Sequence, residues 1–277
     1  MKNKHIPFSV CMAVYINDEP SYLMTAVHSI YNEQSIKPSE IIIVIDGPIK
    51  HSMQSALTAL QEEISIIRLV HFETNHGHAA ARQAGLESAT NNLVAIMDAD
   101  DISESKRFEL QLNAFEKHPE YAVIGGQITE FIEYPTNIVS KRTVPFSDKE
   151  IKSFIKSRCP MNLITVMYRK DLIQEVGGFM DWYCEEDYYL WIRLAEAGCM
   201  FANLPDYLAN VRVGKDMYQR RGGWRYFKSE ARLQGYMLKR GIISLPRYFF
   251  NIVGRFVIQI AMPNKIRGFI FQKMFRK

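Results

Sequence analysis

Cysteine is scarce: the 277 residues hold four, Cys11, Cys159, Cys184 and Cys199, and no two form a CxxC pair. This excludes a zinc ribbon or a dithiol redox centre, and a chain of this length has core enough to need no covalent staples. The four read as reduced thiols of a cytosolic protein. Long apolar runs are also missing. No stretch reaches the roughly 18 uninterrupted apolar residues that a membrane span requires. The first apolar run meets Asn17, Asp18, Glu19 and Pro20 too early for a signal peptide. Glycine is absent where that run ends, at YINDEP, which argues against the GxGxxG turn of a dehydrogenase and the phosphate loop of a nucleotidyltransferase. Finally, one end lacks acid. From Ala231 onward there are ten Lys or Arg and no Asp or Glu, so the formal +4 divides into a body of 24 bases and 30 acids and a basic tail.

What is present alternates. Hydrophobic residues make up 47% of the chain, enough for one large or two small domains. The apolar runs FSVCMAVYI, IIIVID, SIIRLVHF and NLVAIMD are separated by helical patterns, the first carrying Leu23, Ala26, Val27, Ile30 and Tyr31 at helical spacing. Strands buried on both faces with helices between them predict a doubly wound, mostly parallel α/β sheet. Ligands of such sheets bind outside the carboxyl ends of the strands, so Asp46 and Asp98, each closing an apolar run, should share one rim. No repeat or low-complexity linker interrupts the chain.

Two acidic clusters carry the chemistry. Asp98, Asp100 and Asp101 stand together at a strand end. Two carboxylates roughly 5 Å apart repel by ~3 kcal/mol at an effective dielectric of 20, so the cluster calls for a hard cation, Mg2+ or Mn2+, and with it a polyphosphate. The alternative is that Asp101 and Ser103 cap a helix starting near Ser105. Some ninety residues later Glu185, Glu186 and Asp187 precede a helix whose inward face is Leu190, Trp191, Leu194 and Ala195. Acids at that mouth suit the helix dipole whether or not they react.

In their order and spacing, the aspartate closing IIIVID, the segment NHGHAAARQAG, DADD and EEDYYLWIRL resemble the inverting family 2 glycosyltransferases of GT-A fold. The resemblance covers about residues 8–200. The later RVGKDMYQRRGGWRYFKSE is similar to a bacterial subgroup acting on lipid-diphosphate-linked sugars in O-antigen, capsule and exopolysaccharide synthesis. It implies a UDP-sugar donor, with Asp46 accepting the uracil N3–H. Asn75, Gly77 and Arg82 would lie beside the nucleotide, Arg82 forking to phosphate or a rim carboxylate or making a structural ion pair. Asp100 would be the metal ligand, with Asp98 on ribose or metal-bound water and Asp101 supporting. Asp187 would be the base for direct displacement at the sugar C1, and Glu186 its competitor, since three successive acids leave the register open. Two positions depart from the family pattern: Ile45 precedes Asp46 where a second acid is common, and Gln83 follows Arg82 where asparagine is more usual.

Arg212, Arg220 and Arg221, with glycines among them, suit a mobile loop over UDP or over an acceptor diphosphate, or simply a solvated basic loop. The stretch 242–277 is apolar and basic, and Arg247 and Arg255 interrupt it. Arginine near a bilayer centre costs at least about 3 kcal/mol, so lying on the membrane surface is expected rather than crossing it. The alternatives are packing on the body or a homodimer interface. Nothing accompanies the charge to suggest nucleic acid. The resulting expectation is a catalytic domain over 1–215, divided at 104 into nucleotide-sugar and acceptor halves, and a basic amphipathic tail over 216–277. Such a protein would work peripherally on the cytoplasmic face of the inner membrane. It would move galactose or glucose from a UDP-hexose to an N-acetylhexosamine-diphosphate-polyprenyl acceptor in a β-1,3 linkage. A metal-dependent nucleotidyltransferase and a non-catalytic membrane-binding module are the competing readings.

Overall fold

The computed structural model describes residues 5–214 and 222–262. The apolar runs form β1 (Phe8–Val14), β2 (Glu40–Ile45), β3 (Ile67–His71) and β4 (Leu93–Ile96), paired in parallel in the order β3-β2-β1-β4. Helices α1 (Pro20–Tyr31), α2 (His51–Glu63) and α3 (His78–Ser88) make the crossovers. Alternate residues explain the layering. Val10, Met12, Ile41 and Ile43 pack with α1 and α2, and with Phe108 and Leu112 of α4 (Arg107–Lys117). Cys11, Ile42 and Val44 face the other way onto Ala81 and Leu86 of α3. Both faces of β1, β2 and β4 are dry, as parallel strands between helices require, while the edge strand β3 is partly exposed.

Beyond β4 the sheet continues through β8 (Met167–Arg169), β6 (Tyr121–Phe131), β9 (Met200–Arg212) and the two-residue β5 (Ile102–Ser103), with β7 (Ile138–Arg142) on β6. The segment LITVMYR, strand-like in sequence, opens as a 3-10 turn over Leu163–Thr165 before β8. Two short helices, α5 (Asp148–Ile155) and α6 (Lys170–Glu175), flank this half. Helix α7 (Glu186–Glu196) buries Leu190, Trp191 and Leu194 in the layer that also holds Ile151, Ile155, Leu233 and Met237. The last two are on α8 (Trp224–Lys239), so this helix is part of the core.

Helix α9 (Leu245–Phe256) is bound along one edge only. Asn251 Nδ2 donates to Lys156 O at 2.9 Å and to Gln234 Oε1 at 2.7 Å, and Arg255 Nη2 donates to Ser157 O at 2.7 Å. Its opposite face shows Leu245, Phe249, Phe250, Val253 and Phe256 to solvent, Phe250 at 72% exposure. Among the described residues no helix is long and apolar enough to cross a membrane.

Candidate active site

The parallel half ends in a cleft of about 390 Å3 lined by Tyr15, Asp18, Asp46, Arg82, Asp98 and Asp100, among others. Register explains the shared rim: Val14 pairs with Ile45 and Cys11 with Ile96, so the chain leaves β1, β2 and β4 at one edge. Asp46 is already engaged there. Its Oδ1 accepts the His76 N–H at 2.7 Å, and its Oδ2 accepts Asn75 Nδ2 at 2.8 Å and the Gly77 N–H at 2.9 Å. A carboxylate offers about four lone-pair directions, so one remains, on Oδ1. Gly47, at φ +86°, lets the chain turn against this loop, since a Cβ there would meet Asn75 N at 2.6 Å.

The tetrad at 98–101 divides its work. Asp101 is buried and caps no helix; its Oδ1 accepts the Arg212 N–H at 2.8 Å, while α4 starts from Lys106 without a side-chain cap. Burial pushes Asp101 well up, Asp100 and Asp98 add to this, and the Arg212 N–H opposes it. Arg212, expected in a mobile loop, is instead the last residue of β9. Its Nε donates to Asp100 O at 3.2 Å, and its guanidinium lies 3.8 Å from the Tyr22 ring centroid. Pairing inside a sheet is what removes that freedom. Arg220 and Arg221 lie outside the described residues. Asp98 and Asp100 line the cleft.

Three further residues near the site, Asp18, Arg107 and Cys159, stand outside the sequence motifs. Asp18 follows the first strand in YINDEP, and the rim rule applied to β1 would have found it. Burial raises Asp18 to about 6; the Tyr15 N–H opposes this and Asp100 and Asp98 add to it. Arg107 is fully buried beneath the tetrad, donating to Ile96 O at 2.8 Å. Burial lowers it to about 9, Asp98 opposing. Cys159 directs its thiol at Asp187 Oδ2, 3.5 Å away.

Arg82 joins the two acidic clusters. Its Nη1 meets Glu186 Oε1 at 2.5 Å and its Nη2 lies 3.6 Å from Asp98 Oδ1. Burial works against its charge, and Asp98, Glu186 and Asp187 outweigh that, so the proton is held more firmly. Burial and then Asp187 raise Glu186, with Arg82 opposing. Asp187, one residue on, accepts the Tyr188 N–H at 2.7 Å and lines a neighbouring cavity. Gln83, where the family more often has asparagine, accepts the Phe179 N–H at 2.8 Å and so holds the turn leading towards α7.

Among the described residues no group of three or more His, Cys, Asp or Glu is arranged to hold a metal ion. The donors fit a smaller role. Mg2+ and Mn2+ at phosphate sites are commonly held by one or two carboxylates with phosphate oxygens completing the shell, and Asp98 and Asp100 supply that number. Burial is the main cause of the upward shift of Asp18 beside them, and the smaller part added by Asp100 and Asp98 is the part that such a cation would relieve.

The family model for glycosyl transferase family 2 matches residues 9–177. The amylovoran biosynthesis glycosyltransferase AmsE of Erwinia amylovora is 35% identical, over 96% of this chain and 98% of its own. An Escherichia coli protein described as a UDP-Gal:alpha-D-GlcNAc-diphosphoundecaprenol beta-1,3-galactosyltransferase is 33% identical, over 98% and 97%. Among solved structures, the mannosyltransferase PcManGT of Pyrobaculum calidifontis, in complex with GDP-Man and Mn2+, superposes with a TM-score of 0.64 at 17% identity, over 96% of this chain and 72% of that one.

Proposed function

The chain belongs to glycosyl transferase family 2 and is a glycosyltransferase of GT-A fold, and from that premise we propose that it moves a hexose from a UDP-sugar to a lipid-diphosphate-linked N-acetylhexosamine. Galactose or glucose is the hexose, and a β-1,3 bond is formed, in bacterial surface polysaccharide synthesis. The donor and linkage printed for the Escherichia coli relative support this choice. The observation that supports the reading is Arg82, which reaches from Asp98 in the rim cleft to Glu186, the neighbour of Asp187, and so ties the rim to the second acidic cluster.

Each residue then has a task. Asp46 uses its remaining lone pair on the uracil N3–H, with Asn75 beside the base. Arg82 and Asp98 border the diphosphate and ribose, and Asp100, with Asp98, would hold Mn2+ or Mg2+. Bound there, a divalent cation supplies positive charge near the departing diphosphate. Asp187 takes the proton from the acceptor hydroxyl as that oxygen attacks C1. The C1–O bond to UDP breaks with its electron pair on the phosphate, and the anomeric configuration inverts. Glu186 is the weaker candidate for the base, because the guanidinium of Arg82 occupies its carboxylate.

The exposed face of α9 is proposed to lie on an anionic lipid surface. Five phenylalanine-or-aliphatic side chains face outward from a region with ten bases and no acid. Attraction of about 1 kcal/mol per base near such a surface adds to insertion of the apolar face. The cytoplasmic leaflet of the inner membrane is the place where both substrates meet.

The test is a donor screen with the full chain, Mn2+ and a synthetic N-acetylglucosamine or N-acetylgalactosamine diphosphate lipid, product configuration being read by NMR. A β-linked hexose from one UDP-sugar is expected. Asp187→Asn should lower kcat by at least about 100-fold, the low end of general-base catalysis, with UDP affinity unchanged. Near-wild-type turnover in Asp187→Asn would assign the base to Glu186 instead.

A further inference from the structure

A second cavity, of about 560 Å3, lies beyond the donor cleft, and Asp187 is on its wall. The α8–α9 hairpin closes this cavity: Phe250, Arg255 and Ile258 line it, facing Arg142 at the end of β7 and Arg158 after α5. The walls differ in chemistry. Arg255 is committed to structure, its Nε 3.1 Å from Glu230 Oε2 and its Nη2 on Ser157 O. Arg142 is oriented by donating from Nη2 to Cys159 O at 3.1 Å, next to the thiol that touches Asp187. Arg158 lies over the Phe154 ring, 5.4 Å from its centroid. Two guanidiniums on one wall suit adjacent phosphates, because each presents a planar fork of donors to oxyanions. Phe250 belongs both to the cavity and to the exposed face of α9, so the two are continuous.

A ligand matching this cavity has a hydroxyl for a carboxylate, a short polyanion for two guanidiniums and an apolar chain that leaves across α9. We propose that it is the acceptor subsite. The acceptor sugar meets Asp187, its diphosphate meets Arg142 and Arg158, and the first lipid units run along Ile258 and Phe250. The inference rests on the reading of the chain as a lipid-diphosphate hexosyltransferase. It adds that the tail hairpin is a wall of the reaction chamber, and that recognition of diphosphate lies on the side of the Arg82–Glu186 pair away from the nucleotide.

The experiment measures binding apart from turnover. Calorimetry with the full chain, UDP and Mn2+ compares three short-chain alkyl probes bearing N-acetylglucosamine: the diphosphate, the monophosphate and the phosphate-free glycoside. Wild type should bind the diphosphate at least about tenfold tighter than the glycoside, the scale of one charge-assisted hydrogen bond. Arg158→Gln should abolish most of that preference without changing glycoside or UDP affinity. Phe250→Ser should weaken all three probes alike. Equal weakening of every probe by Arg158→Gln, weakened UDP binding, or no preference in wild type would overturn the proposal. Failure of every UDP-sugar to react despite Arg158-dependent diphosphate binding would instead overturn the transferase assignment and leave the subsite standing.

Discussion

Replacing Arg82 with methionine removes the cation between two acidic clusters. The Arg82 and Glu186 side chains are 12% and 15% exposed and 2.5 Å apart, so their contact is largely dry. Stripping one partner from a buried pair costs about 3–5 kcal/mol, and the slight exposure favours the lower figure. Asp98, 39% exposed and 3.6 Å away, adds little, about 0–1 kcal/mol. Glu186 is already raised by burial and by Asp187, and without Arg82 it rises further. An acid whose folded pKa exceeds its unfolded value loses stability as pH rises between the two. The variant extends that window upward, so its deficit against wild type should be larger at pH 8.5 than at pH 6. Adding Glu186→Met removes the stranded charge, and the double variant should return to within about 1 kcal/mol of wild type, a coupling of at least about 2 kcal/mol and larger by whatever Glu186→Met costs alone. Turnover should stay lost in both, because Arg82 also lines the donor cleft. Urea unfolding with chelator at the two pH values measures the cycle. Simple addition of the two single-variant losses, with no pH trend, would refute the account of Arg82 as an electrostatic bridge.

Two further outcomes are expected. Asp18 is raised to about 6 while an unfolded aspartate ionises near 3.9, so its ionisation destabilises the fold increasingly from about pH 4 to 6 and fully above. Asp18→Asn can still accept the Tyr15 N–H, and should melt higher than wild type at pH 7.5 in chelator and no higher at pH 4. Paired Phe249→Ser and Val253→Ser changes on the exposed face of α9 should reduce sedimentation with phosphatidylglycerol vesicles at least about tenfold, given roughly 1.5–3 kcal/mol for each buried apolar side chain. Unaltered sedimentation would mean that another surface meets the membrane.

The parallel half was legible because its inner strands β1, β2 and β4 are dry on both faces and each helix carries one apolar stripe, patterns that survive in a linear sequence. The two acidic clusters were legible for the same reason, since one sits where an apolar run stops and the other where a helical period begins. β9 was not: its Pro205 and Asp206 interrupt it, and its pairing with β6 shifts register, so MFANLPDYLANVR has neither a period of two nor a continuous apolar run. Arg107 looks like any exposed base at a helix start, and only the packing of α4 against β4 buries it. The order of Glu185, Glu186 and Asp187 likewise carries no direction; their difference arises from Arg82, 104 positions earlier.

β9 also bears on the order in which the site matures. Asp100 and Asp101 follow β4 directly, yet their tie to the sheet is Arg212, and β5 pairs only with Asn210 and Ala209. A chain emerging from the ribosome at about 5–20 residues per second exposes the tetrad several seconds before the strand that clasps it. The rim of β1, β2 and β4 can assemble meanwhile from nearby segments, whereas the acidic tip waits for a contact more than a hundred residues away. A nascent or truncated chain ending near residue 200 would thus display most of the signature motifs and still have an unfinished chamber, with competence arriving only when the last strand and the helices after it are in place.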